Sequence, residues 1–194
     1  MIEKNNITGI ILAGGKSSRM GTDKGLLLFN DKPFVQQSID ALSPLVSEII
    51  IVSDRTDYDR FGFKRIKDEV KDAGPVSGIH SGLKASTTTF NLVLSCDIPL
   101  ITTKILRKLI EHADGKSEII QIESNGKSMP LIALYKRDVK DKFQKLLQQD
   151  ERRLRVAVQS CIVKNVVLED DLNRATTNVN TKEELKQLNS EYNH

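Results

Sequence analysis

The fold class follows first from the segment Ile7-Thr-Gly-Ile-Ile-Leu-Ala-Gly-Gly-Lys-Ser-Ser-Arg-Met-Gly-Thr-Asp-Lys24. Its first part, Ile7 to Ala13, is short, rich in branched side chains and followed by two glycines, which predicts a buried strand that ends in a tight turn. Gly14 and Gly15 can adopt backbone angles that are closed to other residues, and they let a ligand approach the main chain. Backbone N–H groups in such a turn can point at phosphate oxygens.

Three cations follow the glycines, namely Lys16, Arg19 and Lys24. The guanidinium of Arg19 is suited to a bidentate grip on a phosphate, whereas Lys24 supplies a point charge. The strand, the turn and the cations together predict a binding site for a polyphosphate.

Three better-known glycine motifs do not fit this stretch. A Walker loop places four residues between its first glycine and Gly-Lys-Ser/Thr, but five residues separate Gly9 from Gly15. The dinucleotide-binding fingerprint G-x-G-x-x-G does not match the spacing from Gly14 and Gly15 to Gly21. A hydrolase nucleophile elbow needs a glycine at the position of Arg19. The phosphate site must therefore belong to another class of protein.

Length and composition favour one soluble domain that spans residues 1–194. Hydrophobic residues make up 39% of the chain and charged residues 28%, which is typical of a globular protein. The apolar runs are too short to span a bilayer, and the polar start of the chain lacks a secretory signal, so we expect a cytoplasmic protein with no membrane partner. A net charge of +3 and only 5% aromatic residues also predict no nucleic-acid partner.

Segments that favour strands and helices alternate along the chain. This alternation predicts a three-layer α/β domain with a mostly parallel sheet and helices on both faces. Asn125-Gly126 is a strong hairpin signal, so part of the sheet is expected to be antiparallel. The expected strands span 7–13, 48–53, 91–96, 119–122, 131–135 and 162–168, and the expected helices span 33–42, 75–83, 102–112, 139–147, 154–160 and the segment after 181.

Asp97 directly follows the expected strand that ends at Cys96. Ligands of open α/β sheets lie outside the carboxyl ends of the strands, so Asp97 and the glycine turn should share one edge. A carboxylate that faces phosphates is repelled unless a divalent cation lies between them, which makes Asp97 a candidate magnesium ligand. The alternative is an Asp that starts the turn before Pro99 or caps the next helix.

Other polar residues give weaker signals. Cys96 and Cys161 have no partner at metal-ligand spacing, and we interpret both as reduced and structural. The three histidines are scattered, which disfavours a zinc site or a catalytic triad. Gly74-Pro-Val-Ser-Gly78 predicts a tight turn ahead of a helix, and Asp68, shortly before it, is expected from position alone to be a solvated surface residue.

Nearly the whole chain resembles the molybdenum cofactor guanylyltransferase (MobA) family, one of the nucleotidyltransferases with a Rossmann-like sheet. The resemblance rests on a combination of motifs, of which only the first is widely shared among nucleotidyltransferases. The matching residues are Leu12-Ala-Gly-Gly-Lys-Ser-Ser-Arg-Met-Gly-Thr-Asp-Lys24, Gly74-Pro-Val-Ser-Gly78, Cys96-Asp-Ile-Pro99, Pro130-Leu-Ile-Ala-Leu134, Arg152-Arg153 and Asn178-Val-Asn-Thr181.

The resemblance implies transfer of GMP from GTP to molybdopterin, with release of pyrophosphate and with Mg²⁺ as cofactor. It implies that GTP and molybdopterin are the partners, with transient contact to molybdopterin-handling proteins or recipient molybdoenzymes. By the same analogy the GTP-binding residues are Leu12, Ala13, Gly14, Gly15, Lys24, Asp68 and Asp97, the catalytic residues are Arg19, Lys24 and Asp97, the metal ligand is Asp97, and the pterin side is formed by Pro130, Arg153, Asn178 and Asn180.

Base specificity stays open at the level of sequence. A glycine rather than alanine at Gly14 favours a purine on steric grounds, but Val52 and Ser77 depart from the family pattern. The alternatives are a nucleotidyltransferase that uses CTP or UTP, with a sugar or polyol phosphate or molybdopterin as acceptor, and a non-catalytic nucleotide-binding regulator on the same fold.

Overall fold

A computed structural model describes residues 2–14, 23–70 and 73–192. Within these residues, seven strands form one sheet in the order β5-β4-β1-β6-β8-β7-β9, and a short hairpin pairs β2 with β3. The strands are β1 Ile7–Leu12, β2 Leu28–Phe29, β3 Lys32–Pro33, β4 Glu48–Val52, β5 Lys64–Ile66, β6 Phe90–Ser95, β7 Ile119–Ser124, β8 Lys127–Lys136 and β9 Val163–Val167. The helices are α1 Phe34–Leu42, α2 Gly74–Ala85, α3 Thr103–Glu111, α4 Val139–Gln148, α5 Leu154–Gln159 and α6 Lys182–Tyr192.

Strand β1 lies at the centre of the parallel part of the sheet. It pairs in parallel with β4 and with β6, and β4 pairs in parallel with β5. Its last residue, Leu12, lies opposite Val52 on one side and Ser95 on the other. The parallel strands therefore end together, and the residues that follow them meet at one edge of the sheet.

The expected hairpin closes the other half of the sheet. Strands β7 and β8 are antiparallel, and Asn125 and Gly126 between them have φ of 51° and 70°, as a two-residue turn requires. Strand β8 runs antiparallel to β6, and β9 runs parallel to β7. The amino end of β8 consequently lies at the same edge as the carboxyl ends of β1 and β6.

Helices cover both faces of the sheet, which confirms the three-layer prediction. Helices α1 and α3 pack on the face that carries Ile11 and Leu94. Helices α2, α4 and α5 pack on the opposite face, which carries Ile10 and Val93. Adjacent residues of one strand point to opposite faces, so the apolar runs of β1 and β6 are buried on both sides.

The last helix, α6, begins with a capping box, in which the side chains of two residues accept each other's backbone N–H groups. The backbone N–H of Glu184 donates to Thr181 Oγ1 at 3.1 Å, and the N–H of Thr181 donates to Glu184 Oε2 at 3.2 Å. Leu188 and Val179 pack with Phe29 and Phe34 in a third apolar cluster. This cluster holds the carboxyl-terminal segment against the region around β2, next to the strand ends.

The helices of the described residues are all too short or too polar to cross a bilayer. Both cysteines are free, as expected, with Cys96 buried and Cys161 half-buried.

Candidate active site

Ala13 and Gly14 follow β1 at the edge where the parallel strands end. The N–H of Ala13 donates to the carbonyl of Val52 at 3.0 Å, and the N–H of Cys96 donates to the carbonyl of Leu12 at 3.2 Å. Gly14 does not use a positive φ, so the expected special backbone angle is absent there. What Gly14 provides is space, because among residues 2–14, 23–70 and 73–192 a Cβ at this position would approach only Ser53 Oγ, at 3.9 Å.

Three of the expected site residues come together beside this turn. Lys24 Nζ donates to Asn180 Oδ1 at 2.8 Å and lies 3.9 Å from Asp97 Oδ2. The Lys24 and Asp97 side chains are only 24% and 15% exposed. The cluster therefore offers one ammonium group and one carboxylate, each partly shielded from water, at the mouth of the strand edge.

Asp97 is oriented by two neighbours. The Ser95 hydroxyl donates to Asp97 Oδ1 at 2.6 Å, and the backbone N–H of Val179 donates to the Asp97 carbonyl at 2.8 Å. Thr102, rather than Asp97, supplies the side-chain cap of α3. The capping alternative for Asp97 is therefore wrong, and the Asp97 carboxylate is left to face the site.

Asp68, the expected nucleotide-binding residue after β5, is not a solvated surface residue. Its Oδ1 is buried and has no hydrogen-bond partner among the described residues. A Cβ at Gly78 would lie 3.4 Å from that oxygen and 3.2 Å from Leu12 Cδ2. Burial raises the pKa of Asp68 to about 6, the charge of Asp54 adds to the rise, and the Ser77 hydroxyl opposes it. The sequence-based expectation of solvation fails because α2 packs over this segment.

The first turns of α2 hold the segment that carries Asp68. The motif Gly74–Gly78 is the start of the helix itself rather than a turn ahead of it, and Gly74 has a φ of +65° that favours glycine. The N–H groups of Glu69 and Val70 donate to the hydroxyls of Ser81 and Ser77 at 3.0 and 3.2 Å. Ser77 thus acquires a physical role that a small apolar residue could not fill.

Glu69 adds a second attachment to α2. Its carboxylate lies 2.5 Å from Lys84 Nζ and 3.1 Å from the Nε2 atom of His80, whose Nδ1 lies 3.0 Å from the carbonyl of Lys140. Lys84 and His80 lower the pKa of Glu69, which keeps it ionised. The segment that carries Asp68 is therefore attached to α2 at several points, through its backbone N–H groups and through the Glu69 carboxylate.

The other residues expected on the pterin side, Pro130, Arg153 and Asn178, do not form a compact cluster like that of Lys24, Asp97 and Asn180. The carbonyl of Pro130, at the end of β8 nearest the site, accepts a hydrogen bond from the Tyr135 hydroxyl at 2.8 Å. Asn178 Oδ1 is buried and finds no hydrogen-bond partner in the part of the chain that the structure describes; it lies one residue before the Val179 amide that binds Asp97. Arg153 precedes α5, is 77% exposed and pairs with Glu151, so the described contacts do not join it to Asp97.

Two of the expected site residues, Gly15 and Arg19, lie outside the described residues together with Lys16. Sequence reasoning also missed two neighbours of the cluster, Ser95 and Asp23. Ser95 gave no signal of its own, because a serine inside a strand is ordinary. Asp23 had one signal, its position directly before Lys24.

Within the part of the chain that the structure describes, Asp97 is the carboxylate that lies beside Lys24 at this edge. Among residues 2–14, 23–70 and 73–192, no three His, Cys, Asp or Glu side chains are grouped so that they could hold a metal ion. A cation at this edge would therefore need most of its ligands from a bound molecule.

Known proteins resemble this chain over nearly its whole length. The family model described as MobA-like NTP transferase domain matches residues 9–163. A probable molybdenum cofactor guanylyltransferase of Flavobacterium johnsoniae is 37% identical over 183 residues, which cover 94% of this chain and 96% of that protein. The molybdenum cofactor guanylyltransferase of Vibrio parahaemolyticus is 34% identical over 192 residues, which cover 97% of each.

A solved structure extends the likeness to the fold. The molybdopterin-guanine dinucleotide biosynthesis protein A of Archaeoglobus fulgidus matches 96% of this chain and 98% of its own with a TM-score of 0.81 and 20% identity. This match confirms the expected Rossmann-like sheet of the nucleotidyltransferase type.

Proposed function

Because the chain belongs to the family of MobA-like NTP transferases, we propose that it transfers GMP from GTP to molybdopterin and releases pyrophosphate. The terminal phosphate of molybdopterin attacks the α-phosphorus of GTP, a new phosphoanhydride bond forms, and the bond to the β-phosphate oxygen breaks. The observation that carries this proposal is the convergence of Lys24, Asp97 and Asn180 at the edge where the glycine turn leaves β1.

The phosphates of GTP would lie against the turn after Ala13. Gly14 leaves the main chain open to a ligand, and Lys24 supplies an ammonium group from the other side. The attacking phosphate is already ionised near neutral pH, so the reaction needs no strong general base. Catalysis then consists of holding two polyanions in line and neutralising their charge, for which a fixed lysine is suited.

Nucleotidyltransferases of this kind use a divalent metal ion, and we propose that the ion is Mg²⁺ and that Asp97 holds it. Mg²⁺ is commonly bound by one or two protein carboxylates together with substrate phosphates, so a single partly shielded carboxylate beside a phosphate site fits it. The ion would supply charge neutralisation at the α- and β-phosphates. Ser95 fixes one oxygen of Asp97 and leaves the other oriented toward Lys24 and the site.

Asp68 is the proposed reader of the base. A buried carboxylate oxygen without a partner favours a ligand that brings its own N–H donors. Guanine presents two adjacent donors, its ring N1–H and its exocyclic amino group, whereas cytosine and uracil do not present this pair. Asp68 therefore supports GTP over CTP and UTP.

The acceptor would approach from the side of β8 and the carboxyl-terminal segment. Asn178, one residue before Val179, carries a second buried oxygen that has no partner within the described ranges, and Pro130 lies in the part of β8 at the same edge. Arg153 would add a cation from the start of α5 once its pairing with Glu151 is exchanged for a phosphate. The product would then pass to molybdopterin-handling proteins or recipient molybdoenzymes.

Pyrophosphate release tests this proposal against its rivals. The protein is incubated with Mg²⁺ and each of GTP, CTP, UTP and ATP, with and without molybdopterin. We expect release with GTP only when molybdopterin is present. Release with CTP or UTP instead would identify another nucleotidyltransferase, and nucleotide binding without any release would identify a regulator.

A further inference from the structure

Asp23 is an almost buried carboxylate directly before the proposed catalytic lysine. Its side chain is 6% exposed. Asp23 Oδ1 accepts hydrogen bonds from the N–H of Gly25 at 3.0 Å and from the Tyr58 hydroxyl, and Oδ2 lies 3.5 Å from Arg55 Nε. The first of these bonds caps the 3-10 turn Lys24–Leu26, so the orientation of Asp23 sets the direction in which Lys24 leaves the chain.

Tyr58 is rigidly placed to act on this carboxylate. Its side chain is fully buried in the 3-10 turn Thr56–Phe61 that follows β4. A Cβ at Gly25 would overlap the Tyr58 hydroxyl and lie 3.1 Å from Cys96 Sγ. Burial, together with the charge of Asp23 and the thiol of Cys96, raises the pKa of the Tyr58 phenol, so the hydroxyl remains a donor. The hydroxyl thus lies where the Lys24 turn meets the residue before Asp97.

The charges around Lys24 explain why the hydrogen bond from Tyr58 to Asp23 is needed. An acidic side chain next to Lys24 would compete for its ammonium group and would repel a polyphosphate. Tyr58 and Arg55 occupy the Asp23 oxygens, and Lys24 instead reaches Asn180 and Asp97. The Asp23 charge is turned away from the place where phosphates would bind.

We propose that Tyr58 is a positioning residue for Lys24, which it directs toward the phosphates of the nucleotide through the Asp23 carboxylate. This inference rests on the proposed function, because it assigns Lys24 to the triphosphate. Tyr58 itself touches no reacting atom, and its effect must pass through Lys24.

A double-mutant cycle tests that route. The dissociation constant of MgGTP is measured by calorimetry for the wild type, Tyr58→Phe, Lys24→Ala and the double variant. We expect Tyr58→Phe to weaken binding about 10-fold, as the loss of one hydrogen bond to a charged group allows. In the Lys24→Ala background the same change should weaken binding less than about 2-fold, because the residue through which it acts is gone.

Ser117→Ala is the matched control. Ser117 Oγ donates at 3.0 Å to Asp114, a carboxylate that also accepts N–H bonds from Lys116 and Ser117. This pair precedes β7, at the edge of the sheet opposite the site. Ser117→Ala therefore removes a hydroxyl from a similarly held carboxylate and should lower the free energy of unfolding without changing the affinity for MgGTP.

The outcomes separate the inference from the function it rests on. A wild-type protein that does not bind MgGTP would overturn the proposed function, and the inference with it. If the wild type binds but Tyr58→Phe weakens binding equally with and without Lys24, or not at all, Tyr58 is a structural residue and the inference alone is wrong.

Discussion

Lys24 Nζ and Asn180 Oδ1 are 2.8 Å apart although 156 positions separate the two residues in the chain. The contact closes the site with the carboxyl-terminal segment, whose Val179 amide also binds the carbonyl of Asp97. A lysine has many rotamers, and a fixed acceptor reduces them before a ligand binds. Asn180 was expected on the pterin side, but its described partner is the lysine that we assign to the triphosphate.

Replacing Asn180 should therefore affect GTP before it affects molybdopterin. We expect Asn180→Ala to lower kcat/KM for GTP about 10-fold, since Lys24 loses a direct hydrogen-bond acceptor, and to change the KM for molybdopterin less. Steady-state kinetics with each substrate varied in turn measures the difference. Asn6→Ala is the control, because Asn6 Oδ1 binds the Thr89 amide at the opposite edge. A selective rise in the KM for molybdopterin would contradict this prediction and would support the original assignment of Asn180 to the pterin side.

Asp97 should be indispensable for turnover. Asp97→Asn keeps the size of the side chain but removes the charge, so we expect kcat to fall at least about 100-fold while the fold remains intact. Turnover at varied Mg²⁺ concentration and the far-ultraviolet circular dichroism spectrum are the measurements. A variant with near-normal magnesium-dependent activity would remove Asp97 from the mechanism.

Ser95→Ala should raise the Mg²⁺ concentration needed for half-maximal turnover about 3-fold or more, because Asp97 loses the 2.6 Å bond that orients it. Ser47→Ala is the matched control. It removes a hydroxyl that donates to the Ile7 carbonyl at the far end of β1, and it should leave the Mg²⁺ requirement unchanged. An unchanged Mg²⁺ requirement for Ser95→Ala would show that the hydroxyl does not act on the metal site.

The pKa of Asp68, about 6, predicts a pH dependence of nucleotide binding. Only the ionised carboxylate can accept both donors of guanine, so affinity for GTP should rise as pH increases through 6. Folding responds in the opposite sense. Because the pKa of Asp68 exceeds its ordinary value of 3.8, the contribution of this group to stability is present at low pH and is lost as pH rises from 3.8 to about 6.

Asp68→Asn should abolish both pH effects, which binding isotherms between about pH 5 and pH 7 and urea unfolding between about pH 4 and pH 7 can detect. Inosine triphosphate, which lacks the 2-amino group, provides a second probe. The wild type should prefer GTP to inosine triphosphate, and Asp68→Asn should lose most of that preference. An unaltered preference in the variant would assign the base to other residues.

Gly14 and Gly82 allow a comparison between a glycine that leaves room for a ligand and a glycine that is required by close packing. A Cβ at Gly82 would lie 2.6 Å from Ile10 Cγ2, so Gly82→Ala should lower the free energy of unfolding by about 2 kcal/mol. Among the residues that the structure describes, a Cβ at Gly14 meets only Ser53 Oγ, at 3.9 Å, so Gly14→Ala should change stability by less than about 0.5 kcal/mol. We nevertheless expect Gly14→Ala to weaken GTP more than CTP, as isothermal titration can measure. Equal effects on the two nucleotides would disprove the steric account of purine preference.

Local signals in the sequence predicted most of the fold correctly. Pro33 ahead of an apolar periodic segment located α1, and Asn125-Gly126 located the hairpin, because both depend on a few adjacent residues. Strand β5, Lys64–Ile66, was not predicted: it is three residues long, carries two cations and exists because it pairs with β4.

The site was predictable only where one residue carries the chemistry. Asp97 directly follows an expected strand and Lys24 is one of the cations after the two glycines, and the structure brings their side chains to 3.9 Å; their roles stay predictions. The buried state of Asp68 depends on α2, and the bond between Tyr58 and Asp23 joins residues 35 positions apart. Such contacts follow from the tertiary fold, which leaves no local pattern in the sequence.

The most direct measurement is mass-spectrometric analysis of the product after incubation of the protein with GTP, Mg²⁺ and molybdopterin. If the protein transfers GMP from GTP to molybdopterin, we expect molybdopterin that has gained one GMP, together with an equal amount of pyrophosphate. We expect neither product with Asp97→Asn. Unmodified molybdopterin after incubation with a folded, GTP-binding wild type would contradict this function.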